Sequence, residues 1–183
     1  MVQFDTSEQR LAALATDCLA IGMFDEEVFS GTAQAIDAAT RGLLRRLKSA
    51  GDLPVRAGET QLLLSPTGLK ASRLLVVGLG KRPEFRQRGW RKAVSAALAA
   101  ALRTRAARLA LAIDQPQADP VDAYYLGRAV ADLTGTALYR INDFKTARKP
   151  PRPALKRVAL AGLTTAQRRQ AQRGLVHGQA IAA

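Results

Sequence analysis

Short apolar runs alternate along this chain with longer segments whose apolar residues recur every three or four positions. Such runs are typical of strands, and the longer spacing is typical of amphipathic helices. Their alternation predicts an α/β domain of three layers, in which helices cover both faces of a mixed, mostly parallel sheet. We expect Thr60 to Leu64 and Arg73 to Leu79 to be buried strands. The other predicted strands are a weak one around Phe4, then Cys18 to Phe24, Leu109 to Ile113 and Val158 to Ala161.

Four helices are predicted between and after these strands. The first begins near Ser30 or Thr32 and continues in one piece to Lys48. The second begins at Pro83, since proline is tolerated in a first helical turn, and extends to about Arg105. Its packing stripe, at four-residue spacing, consists of Trp90, Val94, Leu98 and Leu102. The remaining helices are Val121 to Tyr139 and a last one that begins at Thr164.

The last helix has a clear start signal and no stop signal. Thr164 and Gln167 have the spacing of a capping box, but neither a glycine cap nor a polar tail follows. Its apolar positions are Ala171, Leu175, Gly178 and Ala182. We therefore expect residues 1–163 to form the domain and residues 164–183 to begin a truncated helix. In isolation, the apolar face of that helix should be exposed or paired with another chain.

Length and composition indicate one domain of ordinary size in the cytoplasm. The chain has 183 residues, of which 48% are hydrophobic. It contains neither an 18-residue apolar run nor a signal peptide, so no membrane association is expected. The single cysteine, Cys18, lies in an apolar run and is interpreted as a buried core residue.

The positive charge is concentrated in the second part of the chain. Residues 84–183 contain eighteen Lys and Arg against six Asp and Glu, which accounts for +12 of the net +13. This asymmetry favours an acidic partner or nucleic acid, although a GC-rich coding bias would also enrich arginine. The candidate residues for double-stranded DNA are Arg148, Lys149, Arg152, Lys156 and Arg157, with a second patch of Arg86, Arg88, Arg91 and Lys92. The alternative for the proline-rich segment around Arg148 is a solvated hinge.

Candidate catalytic chemistry is sparse. One histidine, one cysteine and scattered carboxylates do not suggest a metal site, so we assign no catalytic and no metal-binding residue. His177 is interpreted as a packing or hydrogen-bonding residue. The acidic run 25–27 is interpreted as a solvated turn, because its three side chains do not share a face.

The glycine-containing segment 78–81 follows a strand and precedes a helix, where phosphate is often bound. Its spacing fails both phosphate motifs, since a dinucleotide fingerprint requires glycine at Pro83 and Lys81 is followed by Arg82. A tight turn from strand to helix is the better interpretation.

Several blocks together resemble the N-terminal domain of the leucyl aminopeptidases, also called cytosol aminopeptidases. The blocks are Gly51-Asp52-Leu53, Gly58-Glu59-Thr60-Gln61-Leu62-Leu63-Leu64, Arg73-Leu74-Leu75-Val76-Val77-Gly78-Leu79-Gly80-Lys81 and the alanine-rich helix after Phe85. The terminal segment 174–183 resembles the start of that family's interdomain helix.

The resemblance implies a macro-domain-like fold and no catalysis by this chain. The family's two divalent metal ions, manganese or zinc, and its Asn-Thr-Asp-Ala-Glu-Gly-Arg signature belong to a C-terminal catalytic domain expected beyond Ala183. Family members remove N-terminal residues from peptides and are hexamers, and some bacterial members bind DNA. Two hypotheses follow: a non-catalytic domain for assembly and access control, or a DNA-binding accessory module.

Overall fold

The computed structural model describes residues 2–29, 31–117, 120–143 and 155–181. The strands are β1 (Gln3–Thr6), β2 (Cys18–Phe24), β3 (Thr60–Leu64), β4 (Arg73–Gly80), β5 (Arg108–Ala112) and β6 (Arg157–Leu160). The helices are α1 (Gly31–Ala39), α2 (Leu43–Ser49), α3 (Gln87–Leu102), α4 (Ala123–Asp143) and α5 (Thr165–Ile181). Two short 3₁₀ turns lie at Leu11–Ala13 and Arg82–Glu84.

All six strands belong to one sheet in the order β1-β6-β5-β2-β4-β3. The first five are parallel to their neighbours, and β3 runs antiparallel to β4. The predicted mixed, mostly parallel sheet is therefore confirmed. Each predicted strand is present to within about one residue at its ends, including the weak strand around Phe4.

The sheet separates two hydrophobic cores, and strand β2 contributes side chains to both of them. Cys18, Ala20 and Phe24 pack beneath α3, α4 and α5, whereas Leu19 and Ile21 pack beneath α1 and α2. Alternate residues of a strand point to opposite faces, so a strand covered on both sides must be apolar throughout. All seven residues of β2 are buried, which explains its uninterrupted apolar run.

The neighbouring helices α4 and α5 touch through their backbones. A Cβ atom added at Gly127 would lie 2.0 Å from the Ala171 carbonyl oxygen, and one at Gly174 would lie 2.0 Å from the Tyr124 carbonyl oxygen. At Gly178 an added Cβ would lie 2.8 Å from the Arg128 carbonyl oxygen. Because only glycine permits so close an approach, these three positions set the distance between the two helices.

The first predicted helix is wrong in one respect, because it is two helices. Arg41 and Gly42 both adopt left-handed backbone conformations, with φ of 54° and 80°, and a right-handed helix cannot continue through them. The Asp37 carboxyl group, which is buried, accepts hydrogen bonds from the Arg45 backbone N–H at 3.1 Å and from its Nε at 2.7 Å. This carboxyl group thus caps the start of α2.

The second predicted helix does not begin at Pro83. Pro83 belongs to the 3₁₀ turn, after which Phe85 is extended and α3 begins at Gln87. The Phe85 ring turns into the core and meets Phe24 edge to face, with ring centroids 5.1 Å apart. The expected packing stripe is confirmed, since its first three members, Trp90, Val94 and Leu98, are fully buried.

The prediction that Thr60 to Leu64 is a buried strand is wrong. Strand β3 lies at an edge of the sheet, where each of its residues is half-buried or exposed, and Leu64 is 70% exposed. Its three consecutive leucines resemble a central strand in composition, but among the described residues β3 pairs with one strand, β4. Arg73 to Leu79, within β4, is buried as predicted apart from its first residue.

The capping box of the last helix is confirmed. The Thr164 backbone N–H donates to Gln167 Oε1 at 3.0 Å, and the Gln167 backbone N–H donates to Thr164 Oγ1 at 3.3 Å. The expectation of an exposed apolar face is wrong, because Ala171 and Leu175 are fully buried in the core shared with α4. On the outer side of α5, Val176 is 55% exposed.

We predict that Gly174→Ala destabilises the domain. Alanine ordinarily stabilises a helix interior relative to glycine by about 1 kcal/mol. Here its Cβ would meet the α4 backbone, so we expect the free energy of unfolding to fall by about 2 kcal/mol or more. Urea denaturation measures the change, with exposed Arg173→Ala as the neighbouring control. Unchanged or increased stability of the glycine variant would contradict backbone contact between the helices.

Candidate functional site

The predicted basic residues lie toward two opposite edges of the sheet. The parallel strands begin at one edge, called here the start edge, and end at the other, called the carboxyl edge. Lys156 and Arg157 lie at the start edge, whereas Arg86 and Arg88 lie where α3 leaves the carboxyl edge. The 16 residues of α3 extend over about 24 Å, so the two patches do not form one surface. The remaining residues of the first predicted patch, Arg148, Lys149 and Arg152, lie outside the described residues.

The start edge carries three further arginines that the sequence did not single out. Arg103 and Arg105 follow the end of α3, and Arg108 is the first residue of β5. Arg108 and Arg157 are register partners on adjacent strands, so their backbones are neighbours. All the members of this start-edge cluster are exposed: Arg103, Arg105, Arg108, Lys156 and Arg157. The cluster forms a positive surface suited to a polyanion.

Asp17 fixes one member of the start-edge cluster. Its Oδ2 accepts the backbone N–H groups of Ala107 and Arg108 at 2.9 and 3.0 Å, and its Oδ1 accepts Arg108 Nη2 at 2.8 Å. Burial would raise the pKa of Asp17, but the hydrogen bonds from Arg108 and Ala107 outweigh it and lower the pKa below its ordinary value. Part of the charge of the cluster is thus neutralised within the fold.

The second predicted patch is also partly neutralised. Arg91 Nη2 pairs with Asp132 Oδ2 of α4 at 2.9 Å, which links α3 to α4. Burial opposes ionisation of Arg91, but hydrogen bonds to Asp132 and Tyr125 outweigh it and raise the pKa of Arg91. Arg86, Arg88 and Lys92 are exposed.

A crevice of about 310 Å³ lies at the carboxyl edge. The chain leaves β2 toward the face covered by α1 and leaves β5 toward the face covered by α4, so adjacent strands diverge there. In α/β sheets such a divergence is the usual place for a ligand. The crevice is lined partly by Gly31, Thr32, Arg82, Asp114 and Gln167.

Asp114 occupies the start of α1 within this crevice. Its Oδ1 accepts the Thr32 backbone N–H at 3.2 Å, and its Oδ2 accepts the Thr32 hydroxyl at 3.3 Å. Burial raises the pKa of Asp114, although the Thr32 hydrogen bonds and the Arg82 guanidinium act in the opposite direction. The carboxyl group takes the position in which a helix start commonly receives an anion.

Glu26 is paired and half-buried, so the interpretation of the acidic run as a solvated turn is wrong for this residue. Arg82 Nε and Nη2 donate to its two carboxyl oxygens at 2.6 and 3.1 Å. The Arg82 guanidinium also lies 4.0 Å from the centroid of the Phe24 ring. The Glu26 hydrogen bond raises the pKa of Arg82. This pair forms one wall of the carboxyl edge.

The two glycines of the segment 78–81 lie inside β4 and do not present their amides to a ligand. The Gly78 N–H donates to the Glu59 carbonyl oxygen, and the Gly80 N–H donates to the Val55 carbonyl oxygen, each at 2.9 Å. An added Cβ at Gly78 would lie 2.2 Å from the Arg56 carbonyl oxygen. Because they lack side chains, these glycines allow the backbone of residues 55–59 to pack directly against β4.

The other sequence candidates have structural roles. His177 Nδ1 lies 3.0 Å from the Tyr124 hydroxyl, which confirms the hydrogen-bonding interpretation. Cys18 is fully buried as predicted, and burial raises the pKa of its thiol to about 11. Within the part of the chain that the structure describes, no three His, Cys, Asp or Glu side chains gather as a metal site requires. In that same part, no helix is long and apolar enough to cross a membrane.

Sequence comparison identifies a family for most of the chain. Residues 20–148 match the model described as the cytosol aminopeptidase family, N-terminal domain. A relative named "Probable cytosol aminopeptidase", from Halorhodospira halophila, is 35% identical over 176 residues, which are 96% of this chain and 34% of that protein. The chain therefore spans about a third of the length of this relative.

Structural comparison supports the fold. A tomato leucine aminopeptidase mutant matches with a TM-score of 0.71 at 21% identity, over 100% of this chain and 36% of that one. A Trypanosoma brucei macrodomain in complex with ADP matches with a TM-score of 0.59 at 14% identity, over 95% of this chain and 67% of that one. At these identities the likeness concerns the fold alone, and it confirms the macro-domain-like architecture.

We predict that Asp17→Asn destabilises the domain in a pH-dependent way. Because folding lowers the pKa of Asp17, its ionised form stabilises the fold above the ordinary pKa of 3.8, and this stabilisation is lost as pH falls through the lower folded-state pKa. The variant should lose about 1–3 kcal/mol of unfolding free energy near pH 7 and less near pH 3. Denaturant titration at both pH values measures the difference, with exposed Asp52→Asn as the control. An equal loss at both pH values would count against the mechanism.

Proposed function

The chain belongs to the cytosol aminopeptidase family, and we propose that it is the non-catalytic N-terminal domain of a metal-dependent leucyl aminopeptidase. The parent enzyme would remove N-terminal amino acids, leucine preferred, from peptides in the cytosol. Its C-terminal domain would hold two divalent metal ions, manganese or zinc. This domain would serve assembly of a hexamer and control access to the active site.

The family match of residues 20–148 to an N-terminal domain is the observation that carries this proposal. It is supported by the length of the relative, which is about three times the length aligned here. The family's expected reactive machinery, a pair of metal ions with a catalytic signature, corresponds to none of the clusters described above.

We predict that the purified chain releases no amino acid from a leucyl anilide, with or without added manganese or zinc. The physical reason is that the proposal assigns the divalent metal ions, which would activate water for hydrolysis, to the other domain. Release of the anilide is followed by absorbance. Metal-dependent turnover by this chain, abolished by a substitution such as Asp114→Ala or His177→Ala, would overturn the non-catalytic assignment.

A second candidate function is binding of double-stranded DNA through the start-edge cluster. The observation that favours it is the collection of five exposed cations at the starts of β5 and β6 and the end of α3. Lys and Arg side chains at a surface neutralise backbone phosphates and release counterions, with little discrimination among bases. Arg108 would contribute less than its neighbours, because Asp17 already pairs with it.

We predict that duplex affinity falls steeply with salt and depends on the start-edge cluster. Replacing Arg103, Arg105, Lys156 and Arg157 by alanine should make the negative slope of log affinity against log salt shallower, by about 0.9 for each phosphate that is no longer neutralised. Fluorescence anisotropy of labelled duplex at two salt concentrations measures this slope. The matched control is the triple carboxyl-edge variant with Arg86, Arg88 and Lys92 changed to alanine. A variant of Arg148, Lys149 and Arg152 tests the loop separately. Equal slopes for the start-edge variant and the native chain would exclude this surface.

A further inference from the structure

The carboxyl-edge crevice lies where this fold is expected to receive a ligand. Strands β2 and β5 diverge there, and α1 points its first N–H groups into the opening. Among the structures similar to this chain is a macrodomain in complex with ADP, an anionic ligand. Whether a diphosphate fits this edge depends on the groups that already occupy it.

The start of α1 is already satisfied by the chain itself. Asp114 reaches across from the segment after β5 and binds both the N–H and the hydroxyl of Thr32. A phosphate at this position would have to displace a carboxyl group that is partly buried and held by two hydrogen bonds. Displacement would also leave the phosphate beside a group of like charge whenever Asp114 is ionised.

Gly31 makes this arrangement sterically feasible. A Cβ atom at this position would lie 2.6 Å from each of the Asp114 carboxyl oxygens, so any other residue would push the carboxyl group away. Gly31 also has φ of +57°, a conformation that glycine adopts without strain. A phosphate site would need glycine at this position for close approach of the ligand. In this chain Gly31 instead leaves room for the Asp114 carboxyl group.

The charged side chains next to the crevice do not compensate for Asp114. Arg82, the cation that lines the crevice, is bound through two nitrogens to Glu26 and lies over the Phe24 ring. The three charged side chains Asp114, Glu26 and Arg82 together have a formal net charge of −1, in a chain of +13. These three side chains therefore add no net attraction for a nucleotide at the crevice.

We propose that Asp114 is a built-in anion that closes this crevice to nucleoside diphosphates, so that the ligand position of the fold is filled by the chain's own side chain. The crevice thus does not bind ADP in the native protein. Removal of the carboxyl group opens the start of α1, at Gly31 and Thr32, to an anion. This assignment is independent of the aminopeptidase proposal.

The test compares ADP and inorganic phosphate binding to the native chain and to Asp114→Ala, by isothermal calorimetry and by ligand-dependent thermal shift. We expect no saturable binding to the native chain and saturable millimolar or tighter binding of ADP to the variant. At one hundred times the dissociation constant, ligand stabilises the variant by about 2.7 kcal/mol. Asp122→Ala is the matched control, because its carboxyl group caps α4 by accepting the Tyr125 N–H at 2.7 Å.

Each outcome of this test is decisive. ADP binding to Asp114→Ala but neither to the native chain nor to the Asp122 control supports the proposal. Saturable ADP binding to the native chain overturns it, and this measurement does not depend on any variant. If Asp114→Ala does not fold, Asp114→Ser takes its place, since serine is polar, carries no negative charge and is one bond shorter than the carboxyl group that binds Thr32. A folded variant that binds neither phosphate nor ADP also overturns the proposal.

Discussion

The backbone contact between α4 and α5 is the constraint on which one whole layer of the molecule depends. Gly127, Gly174 and Gly178 let the helices approach until carbonyl groups and α-carbons touch. This approach places Ala171 and Leu175 over the same core that β2 and α3 supply. Strands β1 and β6 have fewer large side chains than the central strands, and α5 packs against β1 at this side of the sheet. The terminal helix is therefore an integral part of the layer.

The start edge and the carboxyl-edge crevice differ in their charged groups, and topology is the cause. Parallel strands gather their first residues at one edge, where Arg108 and Arg157 become neighbours although they are far apart in sequence. At the opposite edge, Asp114, Glu26 and Arg82 bind groups of the chain itself. The start edge thus gathers exposed cations from three elements, whereas the charged groups around the crevice at the carboxyl edge bind groups of the chain itself.

The sequence predicted the central strands well because a strand covered on both faces needs a continuous apolar run, as in β2. The capping box at Thr164 and Gln167 was readable because it is local. The break at Arg41 was missed because a left-handed pair of residues leaves little trace in periodicity. The contact of Asp114 with Thr32 spans 82 residues and depends on which strands are adjacent, so no local pattern contains it. For the same reason the sequence did not predict the start-edge cluster, because its arginines are neighbours only through the pairing of β5 with β6.

Cys18, the single cysteine of the chain, begins the central strand β2 and is fully buried between β4 and β5. A thiol in this position is shielded from alkylating reagents until the sheet separates, and its raised pKa further limits the thiolate that reacts. The rate at which a thiol reagent labels Cys18 therefore reports how often the sheet opens. A cysteine placed elsewhere on the surface can carry a probe while Cys18 remains unmodified in the folded state.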